Sequence, residues 1–264
     1  MDLRLKDKVV VITGAAGLRG SIGQTIVEEL AKEGAIPVIV CRNDRGLEYE
    51  KELRDKGIDS IFVKTDLTDV VQIEQAAKTI GDKYGKIDAL INNVGVNDTV
   101  GLEDSIEKFM RSLQLNLVSF FAMTKFCLPY LKKAKGNILN VGSKVALTGQ
   151  GGTSGYAASK GGVLGLTREW AVDLIPFGIR SNALIIAESW TPAYENWINS
   201  LDNGDEKLQS IVKNIPFENR MTSPLEISDA VLFAISERSS HTTGQFITVD
   251  GGYVHLDRSL LSEK

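Results

Sequence analysis

Short apolar runs rich in β-branched residues alternate with amphipathic stretches along the chain. Val9–Ile12, Pro37–Cys41, Ser60–Thr65, Ile87–Asn92, Asn137–Gly142, Arg180–Ile186 and Gln245–Asp250 each read as a strand. They are nearly continuous in β-formers, the pattern of strands buried on both faces. Helical periodicity fills the intervals. Ile22, Ile26 and Leu30 recur every fourth residue, and Gly34 supplies a stop. Further helical patterns cover Val70–Tyr84, Glu103–Lys132, Tyr156–Leu174 and Leu225–Ile235. This alternation predicts an α/β fold: a doubly wound, parallel, seven-stranded sheet with helices on both faces. Residues 187–222 follow the sixth strand without a regular pattern and carry Trp190, Tyr194 and Trp197. Ligands of such sheets sit beyond the carboxyl ends of the strands. The segment is therefore read as a substrate lid within one domain spanning 1–264.

The first strand runs into "TGAAGLRGSIG", Thr13–Gly23. A glycine-rich turn between a strand and a helix is the setting of a phosphate-binding loop. Gly14, Gly17, Gly20 and Gly23 permit tight turning and close approach of a ligand. Ser21 and Ile22 open the helix, whose N-terminal N–H groups favour a pyrophosphate, and Arg19 adds charge. A structural βα turn is the alternative. After the second strand, where an acidic residue would bind the ribose of NAD, the chain reads Cys41-Arg42. Arg42 suits a 2′-phosphate, which favours NADP and leaves NAD possible. Asn43 or Asp44 remains available to a ribose.

Composition narrows the classes. The net charge is −4, without a basic cluster of the kind that binds nucleic acid. No apolar run approaches membrane-spanning length. The charged N-terminus leads directly into a strand, so neither a signal peptide nor a membrane is expected. Cys41 and Cys127 permit one disulfide but read better as reduced thiols, in keeping with a cytoplasmic or other reducing compartment. No metal is expected.

Tyr156 and Lys160 stand four apart at the start of a helical pattern, hence on one face. A cation beside a tyrosine favours the phenolate, and a phenolate takes a proton from an alcohol as hydride leaves its carbon. Ser143 ends the fifth strand at the ligand edge, where its hydroxyl reaches a reacting oxygen. A Tyr–Lys pair at this spacing is also a common surface contact.

These features occur with "TDLTD" (65–69), "NNVG" (92–95), "LQLNL" (113–117), "NVGS" (140–143), "YAASK" (156–160), "RSNAL" (180–184) and "TGQFITVDGG" (243–252). In this combination and order the chain resembles the short-chain dehydrogenase/reductase family over nearly its full length. The resemblance implies a Rossmann fold and a catalytic tetrad. Tyr156 would be the acid/base, Lys160 would lower its pKa and hold the nicotinamide ribose, and Ser143 would orient the substrate oxygen. Asn116 would position a relay water. It also implies that Asp66 and Leu67 flank the adenine, that Asn93 and Gly95 pass near ribose and phosphates, and that Thr191 reaches the nicotinamide end. Family members are commonly tetramers, so a homotetramer is implied. The glycine loop is three residues longer than the family's usual turn. Leu18, Arg19 and Gly20 are expected to bulge over the diphosphate, with Arg19 sharing the adenosine phosphate with Arg42. Enoyl reductases of the family have a similarly long loop, but their Tyr and Lys are seven apart. The usual Pro-Gly after the sixth strand is replaced by Ile186-Ala187.

"GVNDTVGLE" (95–103), "AESWTPAYENWI" (187–198) and "SHTTGQFITVDGGYVHLDR" (240–258) resemble a subgroup that oxidises sugars at the anomeric carbon, L-fucose dehydrogenases among them. The monosaccharide contacts expected are Asn97, Ser143, Gln150, Tyr156, Glu188, Trp190 and Asn196. Polar groups would bind hydroxyls, and Trp190, Tyr194 and Trp197 would pack on an apolar sugar face. His255 and Asp257 in the tail would close a neighbouring subunit's pocket. Two alternatives stay open: a reductase of 3-ketoacyl, steroid or quinone type, and a dinucleotide-binding sensor without turnover.

Overall fold

The computed structural model describes residues 2–256. Seven parallel strands form one sheet: β1 (Val9–Thr13), β2 (Ile36–Cys41), β3 (Ile61–Lys64), β4 (Ala89–Asn92), β5 (Asn137–Ser143), β6 (Arg180–Ile186) and β7 (Phe246–Val249). Their order is β3-β2-β1-β4-β5-β6-β7. The chain therefore winds outward from β1 and returns to its other side at β4. Ligands of open α/β sheets bind in the crevice at such a reversal.

The strand pattern has a direct cause. Val10 and Ile12 pack on one face, against Ile26, Val27 and Leu30 of α1 (Ile22–Lys32) and Ile227 and Val231 of α9 (Pro224–Ile235). Val9 and Val11 pack on the other. There they meet α3 (Val70–Tyr84), α5 (Ser119–Ala134) and α6 (Ser154–Asp173) through Ile73, Met123, Cys127 and Val163. Period-two side chains with apolar helices on both sides leave few polar positions, so the runs are nearly continuous. The cysteines are free, Cys41 packing on the first face and Cys127 on the second.

Three departures from the sequence reading have local reasons. A helix, α2 (Arg45–Asp55), joins β2 to β3. Its buried apolar side chains are only Tyr49 and Leu53, too few for an apolar stripe. The stretch read as one helix from Glu103 to Lys132 is α4 (Ile106–Leu113), a π turn over Gln114–Val118, and α5. The segment 187–222 is partly helical, as α7 (Pro192–Asn199) and α8 (Gly204–Val212). Ile198 is the one buried residue of α7, and α8 has none, so neither leaves a periodic signal. A bridge between Ser189 and Thr222 closes the neck of this segment. Trp190 N–H donates to the Thr222 carbonyl at 2.9 Å, and Thr222 N–H to the Glu188 carbonyl at 3.1 Å.

Candidate active site

The glycine loop is built for close approach. Gly14 has φ +70°, and a Cβ there would lie 2.9 Å from Val94 Cα. Gly20 has φ +82°, and its N–H donates to Gln24 Oε1 at 2.7 Å. Ser21 occupies the N-cap of α1 in extended conformation, with no cap bond from its side chain. Its Oγ is buried and has no hydrogen-bond partner among the described residues. A buried hydroxyl left unpaired is costly, and here it stands at a helix N-terminus beside Gly17, where a Cβ would come within 2.5 Å of it. The loop therefore fits a phosphate oxygen.

Of the three added loop residues, Arg19 docks on α2. Arg19 lies 2.6 Å from a Glu52 oxygen and 5.3 Å from the centre of the Tyr49 ring. The Gly17 carbonyl accepts from Tyr49 Oη at 2.9 Å and Arg45 Nε at 3.2 Å. Leu18 is partly exposed. Arg19 is thus held toward Glu52, and the arginine that reaches the loop is Arg45, which the sequence reading passed over because α2 was not recognised. Arg42 is exposed at the end of β2. Asp66 accepts from Thr68 N–H at 2.9 Å and Thr68 Oγ1 at 2.7 Å. These bonds, with the nearby charge of Arg42, hold its carboxyl below the ordinary value. Leu67 is buried. Asn93 ties the end of β1: its Nδ2 donates to the Thr13 carbonyl at 2.9 Å, and its N–H to Thr13 Oγ1 at 3.0 Å.

Across the switch point, Ser143 closes β5 with its hydroxyl on the side of Tyr156, near enough to favour the phenolate. Lys160 is 2% exposed, and its Nζ donates to the Val141 carbonyl at 2.8 Å. Burial pushes the Tyr156 phenol above its ordinary value, partly offset by the Ser143 hydroxyl. Burial also pushes Lys160 down to about 7. Both neutral forms are favoured because the ammonium lies 5.6 Å from the Tyr156 ring centre in an apolar setting that includes Phe120. Asn116, in the π turn, spends its side chain on the backbone of Val96: Val96 N–H donates to Oδ1 at 2.8 Å, and Nδ2 donates to the Val96 carbonyl at 3.0 Å. What Asn116 offers a relay water therefore comes from its backbone. A Cβ at Gly95 would lie 3.2 Å from Lys160 Nζ and 3.3 Å from Asn116 Oδ1. Only glycine lets this loop pass between those two groups without displacing either.

The segment 187–222 approaches both halves. Thr191 caps α7, its Oγ1 accepting from Tyr194 N–H at 3.3 Å. Next to it, Pro192 Cγ would lie 3.6 Å from a Cβ at Gly20. Glu188 accepts from Tyr194 Oη at 2.9 Å and forms an ion pair with Lys144, a buried residue absent from the sequence candidates. Tyr194 packs edge-on against Trp197 at 5.2 Å, and Trp190 lies 6.4 Å away on its other side. Asn97, Gln150 and Asn196 are exposed; Asn97 Oδ1 accepts from its own loop, Thr99 N–H at 3.3 Å. His255 is exposed, and Asp257 lies outside the described residues. No group of three or more potential metal ligands occurs among the described residues, and no helix there is long and apolar enough to cross a membrane.

Comparison with known proteins agrees with this geometry. The family profile described as enoyl-(acyl carrier protein) reductase matches residues 14–254. A 3-oxoacyl-(acyl-carrier-protein) reductase of Thermotoga maritima is 34% identical over 96% of this chain and 100% of its own. The L-fucose dehydrogenase of Bos taurus is 32% identical over 96% of this chain and 91% of its own. The crystal structure of Cj0485 dehydrogenase superposes with a TM-score of 0.93 at 44% identity, covering 98% of this chain and 99% of that one. With a seven-stranded parallel sheet and Ser143, Tyr156 and Lys160 at its carboxyl edge, the chain belongs to the short-chain dehydrogenase/reductase family, NAD(P)-binding oxidoreductases acting on CH–OH groups.

Proposed function

We propose that the protein oxidises an aldose of L-fucose type at the anomeric hydroxyl, giving a lactone that hydrolyses to the aldonic acid. The observation that carries this reading is the polar character of the substrate edge. Glu188 and Tyr194 face one another beside Trp190 and Trp197, supplying hydrogen-bonding groups with flat apolar surfaces for a sugar ring. An acyl-chain site would be lined chiefly by aliphatic side chains.

Tyr156 Oη takes the proton of the anomeric hydroxyl, while Ser143 Oγ orients the same oxygen. Lys160, fixed on the Val141 carbonyl, holds the nicotinamide ribose and hands protons toward the Asn116 backbone. When bound, the oxidised nicotinamide would supply the hydride acceptor. Gly14, Ser21 and Ile22 would hold the diphosphate, and Asp66, Leu67, Asn93 and Gly95 the adenosine. Arg42, with Arg45 next to the loop, supports a preference for NADP. Residues 187–222 act as the lid. Exposed Leu102, Ile106, Met110 and Phe121 support association of copies into a homotetramer.

A panel of L-fucose, D-arabinose and simple secondary alcohols, each with NADP⁺ and NAD⁺, tests this. The aldoses are expected to react at least about 100-fold faster in kcat/KM than the alcohols, and faster with NADP⁺. The competing reading is reduction of a 3-ketoacyl thioester, the activity named for the Thermotoga relative. Turnover of such a thioester with NADPH, without aldose oxidation, would favour it.

A further inference from the structure

Resting on the sugar reading, we propose that Lys144 and Glu188 form a substrate-recognition pair, one donor and one acceptor, for the hydroxyl on the carbon next to the one oxidised and the hydroxyl that follows it around the ring.

The pair's place follows from strand register. Ser143 pairs with Ile186 across β5 and β6. Lys144 is the next residue on one strand, and Glu188 stands two beyond the end of the other. Both side chains therefore leave the carboxyl edge of the sheet beside Ser143, which contacts Tyr156. Both are largely withdrawn from water, with side-chain exposures of 9% and 17%. Further contacts come from other elements. Tyr194 on α7 donates to Glu188 at 2.9 Å, and the ring of Tyr253, just beyond β7, lies 4.2 Å from Lys144 Nζ.

Stability alone is a poor reason for such a pair. Removing two charges from water costs about as much as their attraction returns, and apolar residues of similar size often serve as well or better. Hydrogen-bond capacity points to recognition. An ammonium has three donors and a carboxylate about four acceptor positions. Lys144 spends a donor on Glu188 and presents a face to Tyr253; Glu188 accepts from Lys144 and Tyr194. On these contacts Lys144 keeps a donor and Glu188 keeps acceptor positions at the end of the sheet where Ser143 lies. That complement fits adjacent hydroxyls of a polyol, each of which both donates and accepts. A substrate without those hydroxyls would leave desolvated charges unsatisfied, which is a strong basis for discrimination.

The test compares L-fucose with 2-hydroxytetrahydropyran, which has the same cyclic hemiacetal but none of the other hydroxyls. Two variants are used: Glu188→Gln, and the double variant Lys144→Met/Glu188→Leu, which leaves no unpaired buried charge and so guards against a folding defect. The wild type is expected to favour L-fucose strongly in kcat/KM, and both variants to lose about 100-fold of that preference. If the pair only latches the lid, both substrates will suffer in proportion and the ratio will stay at the wild-type value, which overturns the proposal while the sugar reading stands. A wild type that oxidises neither hemiacetal overturns the sugar reading, and this proposal with it.

Discussion

Replacing Tyr156 with Phe is expected to lower kcat for the preferred alcohol by about 10³-fold, with NADP⁺ affinity unchanged within a factor of about two. The variant loses one oxygen and keeps the ring. Ser143 loses a partner, a change worth about 1 kcal/mol, so the fold should persist. A pH profile separates this role from simple damage. Burial pushes the phenol above its ordinary value, and the reacting form in oxidation is the phenolate. Wild-type kcat/KM should therefore fall as the pH falls through the neutral range, and the residual rate of the variant should not follow that slope. Retention of wild-type kcat by Tyr156→Phe would remove the tyrosine from the mechanism.

Lys160→Met should separate activity from stability with opposite signs. On the proposed mechanism, in which Lys160 holds the ribose and relays protons, its loss is expected to cost about 10²-fold in kcat/KM. Thermal stability should rise. The folded-state pKa of Lys160 is pushed down to about 7, against about 10.4 in an unfolded chain. Between these values the unfolded chain binds more protons, so the wild type gains stability as pH rises across that window and carries the full penalty at and below pH 7. One pKa unit corresponds to about 1.4 kcal/mol, so the penalty exceeds the roughly 1 kcal/mol of the lost bond to Val141. Melting curves should place the variant above wild type by the widest margin at or below pH 7, with the margin closing toward pH 10. A variant that melts below wild type at pH 7 would contradict the burial argument.

The strands were legible because a two-sided core writes itself into the chain: Val9 and Val11 face one layer, Val10 and Ile12 the other. Ser143, Tyr156 and Lys160 were legible as candidates because they sit where strand ends and helix starts can be read. Elements with little buried surface were not. α2 declares itself only through Tyr49 and Leu53, so Arg45 at its start went unnoticed although it reaches the Gly17 carbonyl. The π turn around Asn116 was also invisible, because one extra residue per turn hardly disturbs the apolar spacing of a long helix. The direction of the Tyr156 pKa needed burial as well as sequence spacing. Lys144 carried a signal that spacing alone does not use: an opposite charge, Glu188, just beyond the end of the neighbouring strand.

If the anomeric carbon gives up hydride under the control of Tyr156, L-fucose deuterated at that carbon will deliver deuterium to the reduced nicotinamide with a stoichiometric aldonic acid product, and Tyr156→Phe will show none of this label transfer on the same timescale. Reduced cofactor formed without deuterium, or no reduction at saturating sugar, would contradict it.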